Sequence, residues 1–170
     1  MNTTATHEVV LFIDSSIIIN SVDNKAFTLA KTLPKDTDIQ LKTLLVDIAQ
    51  EHNRTELAQM LLSSVTELYE YLSGYTKQNS CQLEIIDNEM DIQDFKIHLT
   101  LPNTFPLGFS EALRIHAQNY ITLSLIRKWI YLVFPQLGET YDAQLLEAYN
   151  NIASLMQCRT KMPTIKSTVI

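Results

Sequence analysis

Residues Ser110 to Val133 read SEALRIHAQNYITLSLIRKWIYLV, and the reading of this stretch decides the fold. It contains neither Gly nor Pro and opens on a serine of the kind that caps helix N-termini, so one long helix is expected. It also holds the only tryptophan, Trp129. At helical spacing Leu113, Ala117, Tyr120, Ser124 and Lys128 mark one stripe. Ile115, Ile126, Trp129, Ile130 and Val133 mark a second, with Ile121, Leu123 and Leu125 between them. A helix apolar on more than one face belongs at the centre of a domain. Arg114, His116, Gln118, Asn119, Arg127 and Lys128 make it too polar for a membrane span, so other helices are expected to wrap it.

Working outward, Pro135 is expected to stop this helix, and a last helix is predicted from Tyr141 to about Arg159. Leu145, Leu146, Tyr149, Ile152, Ala153, Leu155 and Met156 form its broad apolar face. On the other side, Pro102 to Phe109 is a connector rich in aromatics and proline. Before it the period drops to two: Cys81, Leu83 and Ile85 alternate with polar residues, as do Phe95, Ile97, Leu99 and Leu101. Residues 81–101 therefore read as an inserted β-hairpin with one buried face and a polar turn from Asp87 to Asp91. Two strands alone are marginal, so the hairpin must lie on the helices or pair with another chain.

Toward the N-terminus, Thr55 to Gly74 is a helix with Leu57, Met60, Leu61, Val65, Leu68, Tyr69 and Leu72 on one face and Gly74 as a left-handed cap. Residues 39–74 form either one helix or two, with two, broken near Asn53, the expected form. Leu41, Leu44, Leu45 and Ile48 carry the earlier apolar stripe. A further helix, capped by Asp14, Ser15 or Ser16, runs to about Leu33 before Pro34 and turns Ile18, Val22, Leu29 and Leu33 inward, with Phe27 and Ala30 near them. Val9 to Ile13 reads as a short strand or an extended lead-in beside that helix. The fold class is mainly α, with an α+β character: four to five helices around a central hydrophobic one, plus the hairpin. One domain covers residues 1–170, with 1–8 and 164–170 as flexible tails.

Composition narrows the function classes. At 170 residues the chain can bury about two thirds of its unfolded surface. Three glycines are too few for a turn-rich all-β fold, and a formal charge of −6 argues against gripping nucleic acid through its phosphates. Cys81 and Cys158 lack partner spacing, so reduced thiols and a cytoplasmic setting are the expectation. No signal peptide or membrane span is recognised in the sequence. Charge is uneven: residues 159–170 carry Arg159, Lys161 and Lys166 and no acid. Removing these three from the thirteen basic residues leaves ten against nineteen acidic ones.

Catalytic and metal signatures are not found. His7, His52, His98 and His116 have no second histidine within a turn and no glutamate three residues before, which disfavours zinc helices and di-iron bundles. Gly74, Gly108 and Gly138 are isolated, so no phosphate-cradling loop is expected, and no G-x-S-x-G elbow occurs. Asp87, Glu89 and Asp91 copy the opening spacing of a calcium loop, but Ile92 replaces its glycine and His98 its closing glutamate. No cofactor, no metal and no enzymatic activity are expected. The acidic cluster Asp87, Glu89, Asp91 and Asp94 reads instead as a solvated turn or as a contact surface toward a subunit or a DNA channel. The basic tail with Arg159, Lys161, Ile165 and Lys166 reads as a solvated end or as a docking segment for a partner. Tyr69, Tyr71, Tyr75, Phe105, Phe109, Tyr131 and Phe134 exceed what one helix face hides; most are expected in the core of the chain, and any that are not suggest a partner surface.

The order of the stretches TELAQMLLSSVTELYEYLSGYT, the β-segment, FSEALRIHAQNYITLSLIRKWIYLV and LLEAYNNIASLMQCRTKMP resembles the head–tail connector (adaptor) proteins of long-tailed bacteriophages and their prophages. The likeness covers roughly Thr55 to Pro163. It rests on Tyr69, Tyr71, Gly74 and Tyr75 at the end of the first helix, Trp129 and Tyr131 near the end of the later one, and Arg159 and Lys161 after the last. The resemblance implies a non-enzymatic subunit of a homo-oligomeric ring between portal and tail, in the virion or the cytoplasm. Its partners would be copies of itself and other phage structural proteins around the DNA path, with no sequence-specific nucleic-acid binding. A different class, a helical module that holds a small ligand or regulates a partner, is the alternative.

Overall fold

The computed structural model describes residues 6–76, 80–87 and 92–158. The element order is β1 (Thr6–Ile13), α1 (Ser15–Thr32), α2 (Ile39–Val46), α3 (Arg54–Ser73), β2 (Cys81–Ile86), β3 (Asp94–Pro102), α4 (Ser110–Val133) and α5 (Pro135–Gln157). The fold is mainly α with a small antiparallel sheet, as the periodicities indicate. α4 keeps the bounds expected of it and packs against α1, α2, α3, α5 and β1. Tyr120 to Ile126 are buried without a break, so this helix is enclosed on every side along its middle. Trp129 is buried beside them, and its indole Nε1 donates to the Leu45 carbonyl at 3.2 Å, fastening α4 to the end of α2.

The hairpin is not an isolated insertion. Its second strand, β3, is the middle strand of a three-stranded sheet of order β1-β3-β2. β1 pairs along its whole length from Thr6↔Pro102 to Ile13↔Phe95, so the N-terminal run is a strand rather than a lead-in. The flexible reading of residues 1–8 accordingly fails from Thr6 onward, because ladder pairing fixes the backbone there; residues 1–5 lie outside the described residues. One sheet face buries Val9, Leu11, Ile13, Phe95, Ile97, Leu99 and Leu101. α4 lies against β1, and α3 against β2 and β3, on that side. The hydrophobic effect thus drives a two-layer arrangement in which the other sheet face meets solvent.

Local chemistry explains the helix ends, and several differ from expectation. Asp14 caps α1, its Oδ1 accepting from Ser16 N at 2.9 Å and Ile17 N at 3.2 Å. Phe27 points outward at 51% exposure, with the Lys31 ammonium 4.1 Å from its ring centroid. The break between α2 and α3 is wider than a bend at Asn53. Two short 3-10 turns occupy Asp47–Ala49 and Glu51–Asn53, with Asn53 Nδ2 donating to the Asp47 carbonyl at 2.7 Å. Gly74 does not adopt a left-handed cap; its φ is −63°, and α3 unwinds instead through Tyr75 N to Leu72 O and Thr76 N to Ser73 O bonds. Ser110 is no cap either. A 3-10 turn at Leu107–Phe109 leads straight into α4, and Ser110 Oγ donates back to the Leu107 carbonyl.

The largest displacement concerns α5, which starts at Pro135 rather than Tyr141. Proline both ends α4 and opens α5, because the first helical position needs no N–H donor and its φ is already helical. Phe134 alone makes the corner, with φ −147° and ψ 76°. Gly138 lets α5 pass Tyr131, whose ring carbons lie 2.5–2.7 Å from where a Cβ would stand. Leu146 and Tyr149, expected inside, are exposed on the outer side of α5, while Tyr141, Ala148, Ile152 and Met156 face the core.

Candidate functional site

The sheet's open face is built by alternation. Residues that face the helices on β1 and β3 are apolar, so their neighbours Glu8, Val10 and Phe12 on β1 and Lys96, His98 and Thr100 on β3 point the other way, with Gln82 and Glu84 on β2. In register, Phe12, Lys96 and Glu84 form one row across the sheet, and Val10, His98 and Gln82 the next. Val10 and Phe12 are 44% and 40% exposed, apolar side chains that nothing among the described residues covers.

His98 is the hub of the polar part. Its Nε2 lies 2.9 Å from Glu84 Oε2 on β2, and its Nδ1 lies 3.4 Å from Glu8 Oε1 on β1. A neutral imidazole has one N–H, so a ring that donates to both carboxylates is the imidazolium. The Glu84 hydrogen bond raises the His98 pKa above its ordinary value, and the same bond, helped by Lys96, lowers that of Glu84. Lys96 Nζ sits 3.9 Å from Glu84 Oε1. The two ring nitrogens face opposite strands, so the three side chains clamp the sheet and do not converge on one ion. Among the described residues no group of three or more His, Cys, Asp or Glu side chains is placed to hold a metal.

Other polar groupings serve packing. Lys128 Nζ on α4 donates to Ser63, Ser64 and Glu67 on α3 at 2.9, 3.1 and 2.8 Å. Ser124 Oγ, 3.0 Å from Ser64 Oγ, also reaches Glu67, which satisfies two buried hydroxyls between the helices. Arg127 pairs with Asp142, which also accepts from Tyr131, tying α4 to α5. Between these lies a groove of about 320 Å³ lined by Tyr120, Arg127, Asp142, Leu145, Leu146 and Tyr149. A second groove of about 440 Å³ runs from Arg54 and Gln59 on α3 to Ile92 and Phe95 at the sheet end. Burial pushes the Cys81 thiol up to about 11, so it stays protonated and unreactive at neutral pH.

The acidic cluster expected from the sequence is divided. Asp87 is exposed and accepts from Gln93 Nε2 at 2.6 Å, while Glu89 and Asp91 lie outside the described residues. Asp94 is half-buried rather than presented as a surface. Its Oδ1 accepts from Ser15 N at 2.8 Å and Ser15 Oγ at 2.7 Å, because β3 delivers a carboxylate to the first turn of α1. Arg159, Lys161, Ile165 and Lys166 also lie outside the described residues. Of the aromatics divided between core and a partner surface, Phe105 is core at 1% exposure; Tyr69, Tyr71, Tyr75, Phe109, Tyr131 and Phe134 are half-buried. Tyr71 packs on Tyr149 and shares a hydroxyl bond with Tyr75. The sequence reading missed the open face of β1. The signal was present in VVLFI, where five apolar residues in a strand with one buried face must leave two outside. No protein-family model, no curated protein and no solved structure matches the chain.

Proposed function

We propose that the chain is a non-enzymatic structural subunit that acts by joining copies of itself, in the manner of a phage head–tail connector. The observation that carries this reading is a sheet with one uncovered face and an apolar patch at Val10 and Phe12 along its β1 margin. Exposed strand edges and apolar sheet faces serve to add neighbouring chains. A ring around DNA is the form that the resemblance supplies, with other phage structural proteins above and below. The sequence run of Asp87, Glu89 and Asp91 suits a conduit, since like charges repel phosphates.

The test is size measurement by light scattering across a concentration series, with negative-stain microscopy at the upper end. Closed rings are the expected result, and a monomer at every concentration overturns the reading. The groove at Tyr120, Arg127 and Tyr149 favours a second reading, a binding module for a small amphipathic molecule, because it combines aromatic, apolar and charged lining. A persistent monomer whose melting temperature rises with such a compound would favour that alternative.

A further inference from the structure

β1 is an edge strand, and no strand among the described residues lies along its outer edge. Among the described residues it pairs only with β3, and no other main-chain hydrogen bond reaches residues 6–13. Such an edge presents a row of N–H and C=O groups that only water or another strand can satisfy. Edges meant to stay alone carry charged side chains, lysine above all, proline, a bulge or an inward charge. THEVVLFI has no lysine or proline, its acid Glu8 lies near its start, and its ladder to β3 runs from Thr6 to Ile13 without a bulge. β2, at the other margin, is shorter and carries Glu84 near its middle.

We propose that β1 pairs antiparallel with β1 of a second copy about a two-fold axis at Val9 or Val10, fusing the sheets in the order β2-β3-β1-β1-β3-β2. This rests on the self-assembly reading and names one contact within it. Charge selects both partner and register. An axis at Glu8 would set two carboxylates face to face, and an axis at Leu11 would set Glu8 against Asp14. An axis at Val10 places Glu8 opposite Phe12 of the other copy, in the row that continues to that copy's Lys96. An axis at Val9 places it opposite Val10, in the row that continues to His98. Both central registers therefore bring each Glu8 into line with a cation and set Val10 and Phe12 beside side chains of the other copy on the open face. The contact is isologous, so it makes pairs and not rings, and a ring requires a second, different surface. One strand pair covers less than a standard interface of about 1,600 Å², so the association is concentration-dependent.

Sedimentation of the full chain and of Val10→Glu tests this, with circular dichroism as the folding check. Val10 is an exposed position, so glutamate there leaves the fold intact. It sets two carboxylates face to face at a Val10 axis and a carboxylate opposite each Glu8 at a Val9 axis. Expected are dimers that grow with concentration in the natural sequence and their loss in V10E. In a Cys158→Ser background, Val10→Cys cross-links under oxidation if the axis is at Val10, since opposed strand residues lie within disulfide reach. The pair Glu8→Cys with Val10→Cys does so for the Val9 axis. Failure of both to cross-link overturns the pairing. Folded V10E that associates like the natural chain also overturns it, and if its rings persist the assembly reading stands. Association abolished by removing residues 159–170 but unaffected by V10E assigns the contact to that segment instead. A natural chain that stays monomeric at its highest soluble concentration overturns both this contact and the assembly reading.

Discussion

His98 touches all three strands through two carboxylates, and its protonation therefore bears on the sheet. Its folded pKa is raised, so its contribution to stability is complete below the unfolded value of about 6.5 and is lost as pH rises through the folded value. Glu84 is lowered, so its contribution is present above its unfolded value and is lost as pH falls through the folded one. Between those limits the clamp is whole. Lys96 Nζ, 3.9 Å from Glu84 Oε1, is a further hold on that carboxylate. The expected result is that His98→Gln loses stability relative to the natural chain at pH 6 and converges with it at higher pH. Urea titrations at several pH values check this, and a difference that does not vary with pH would remove the imidazolium from the account.

At the scale of the element, α1 is held at its start by two carboxylates from different places. Asp14 satisfies Ser16 N and Ile17 N from within the helix terminus; Asp94 takes Ser15 N and Ser15 Oγ from β3. Loss of a cap costs about 1 kcal/mol, in a range of about 0.5–2. Asp94→Ala is expected to cost at least as much as Asp14→Ala, because it strips two donors of a buried serine and disconnects β3 from α1. Thermal melts of the two single variants and the double check this, and an Asp94→Ala protein as stable as the natural chain would refute it. A cap among Asp14, Ser15 and Ser16 was legible because the three precede an apolar helical pattern directly, and the hydrogen bonds assign it to Asp14. The role of Asp94 was not, since its partner lies 79 residues away and pairing across that distance leaves no local mark. The same contrast runs through the chain. α4 was readable because burial along Tyr120–Ile126 imposes an all-round apolar pattern. The start of α5 was obscured because Pro135 is a stop for one helix and a permitted first residue for the next.

For the whole molecule, closure depends on β1 returning to β3 across most of the chain, and the open face exists because the helices all take the other side. The hairpin's periodicity revealed a buried face but not that its second strand is central, since the third strand is supplied from the N-terminus. Leu11 sits at this junction, fully buried where β1 meets the core under α4. Replacing a buried leucine by alanine costs about 2–5 kcal/mol, a large part of the roughly 5–15 kcal/mol that holds a domain together. Trp129, also buried and the only tryptophan, reports the far end of α4 by its fluorescence. If sheet and helices are one cooperative unit, Leu11→Ala lowers the denaturant midpoint of Trp129 emission and of far-ultraviolet ellipticity by the same amount. It leaves the slope of each transition unchanged. A variant that loses sheet signal first, with the tryptophan transition unmoved, would show that the helices around α4 stand without β1. The edge strand would then be an appendage offered to a partner and not a wall of the core.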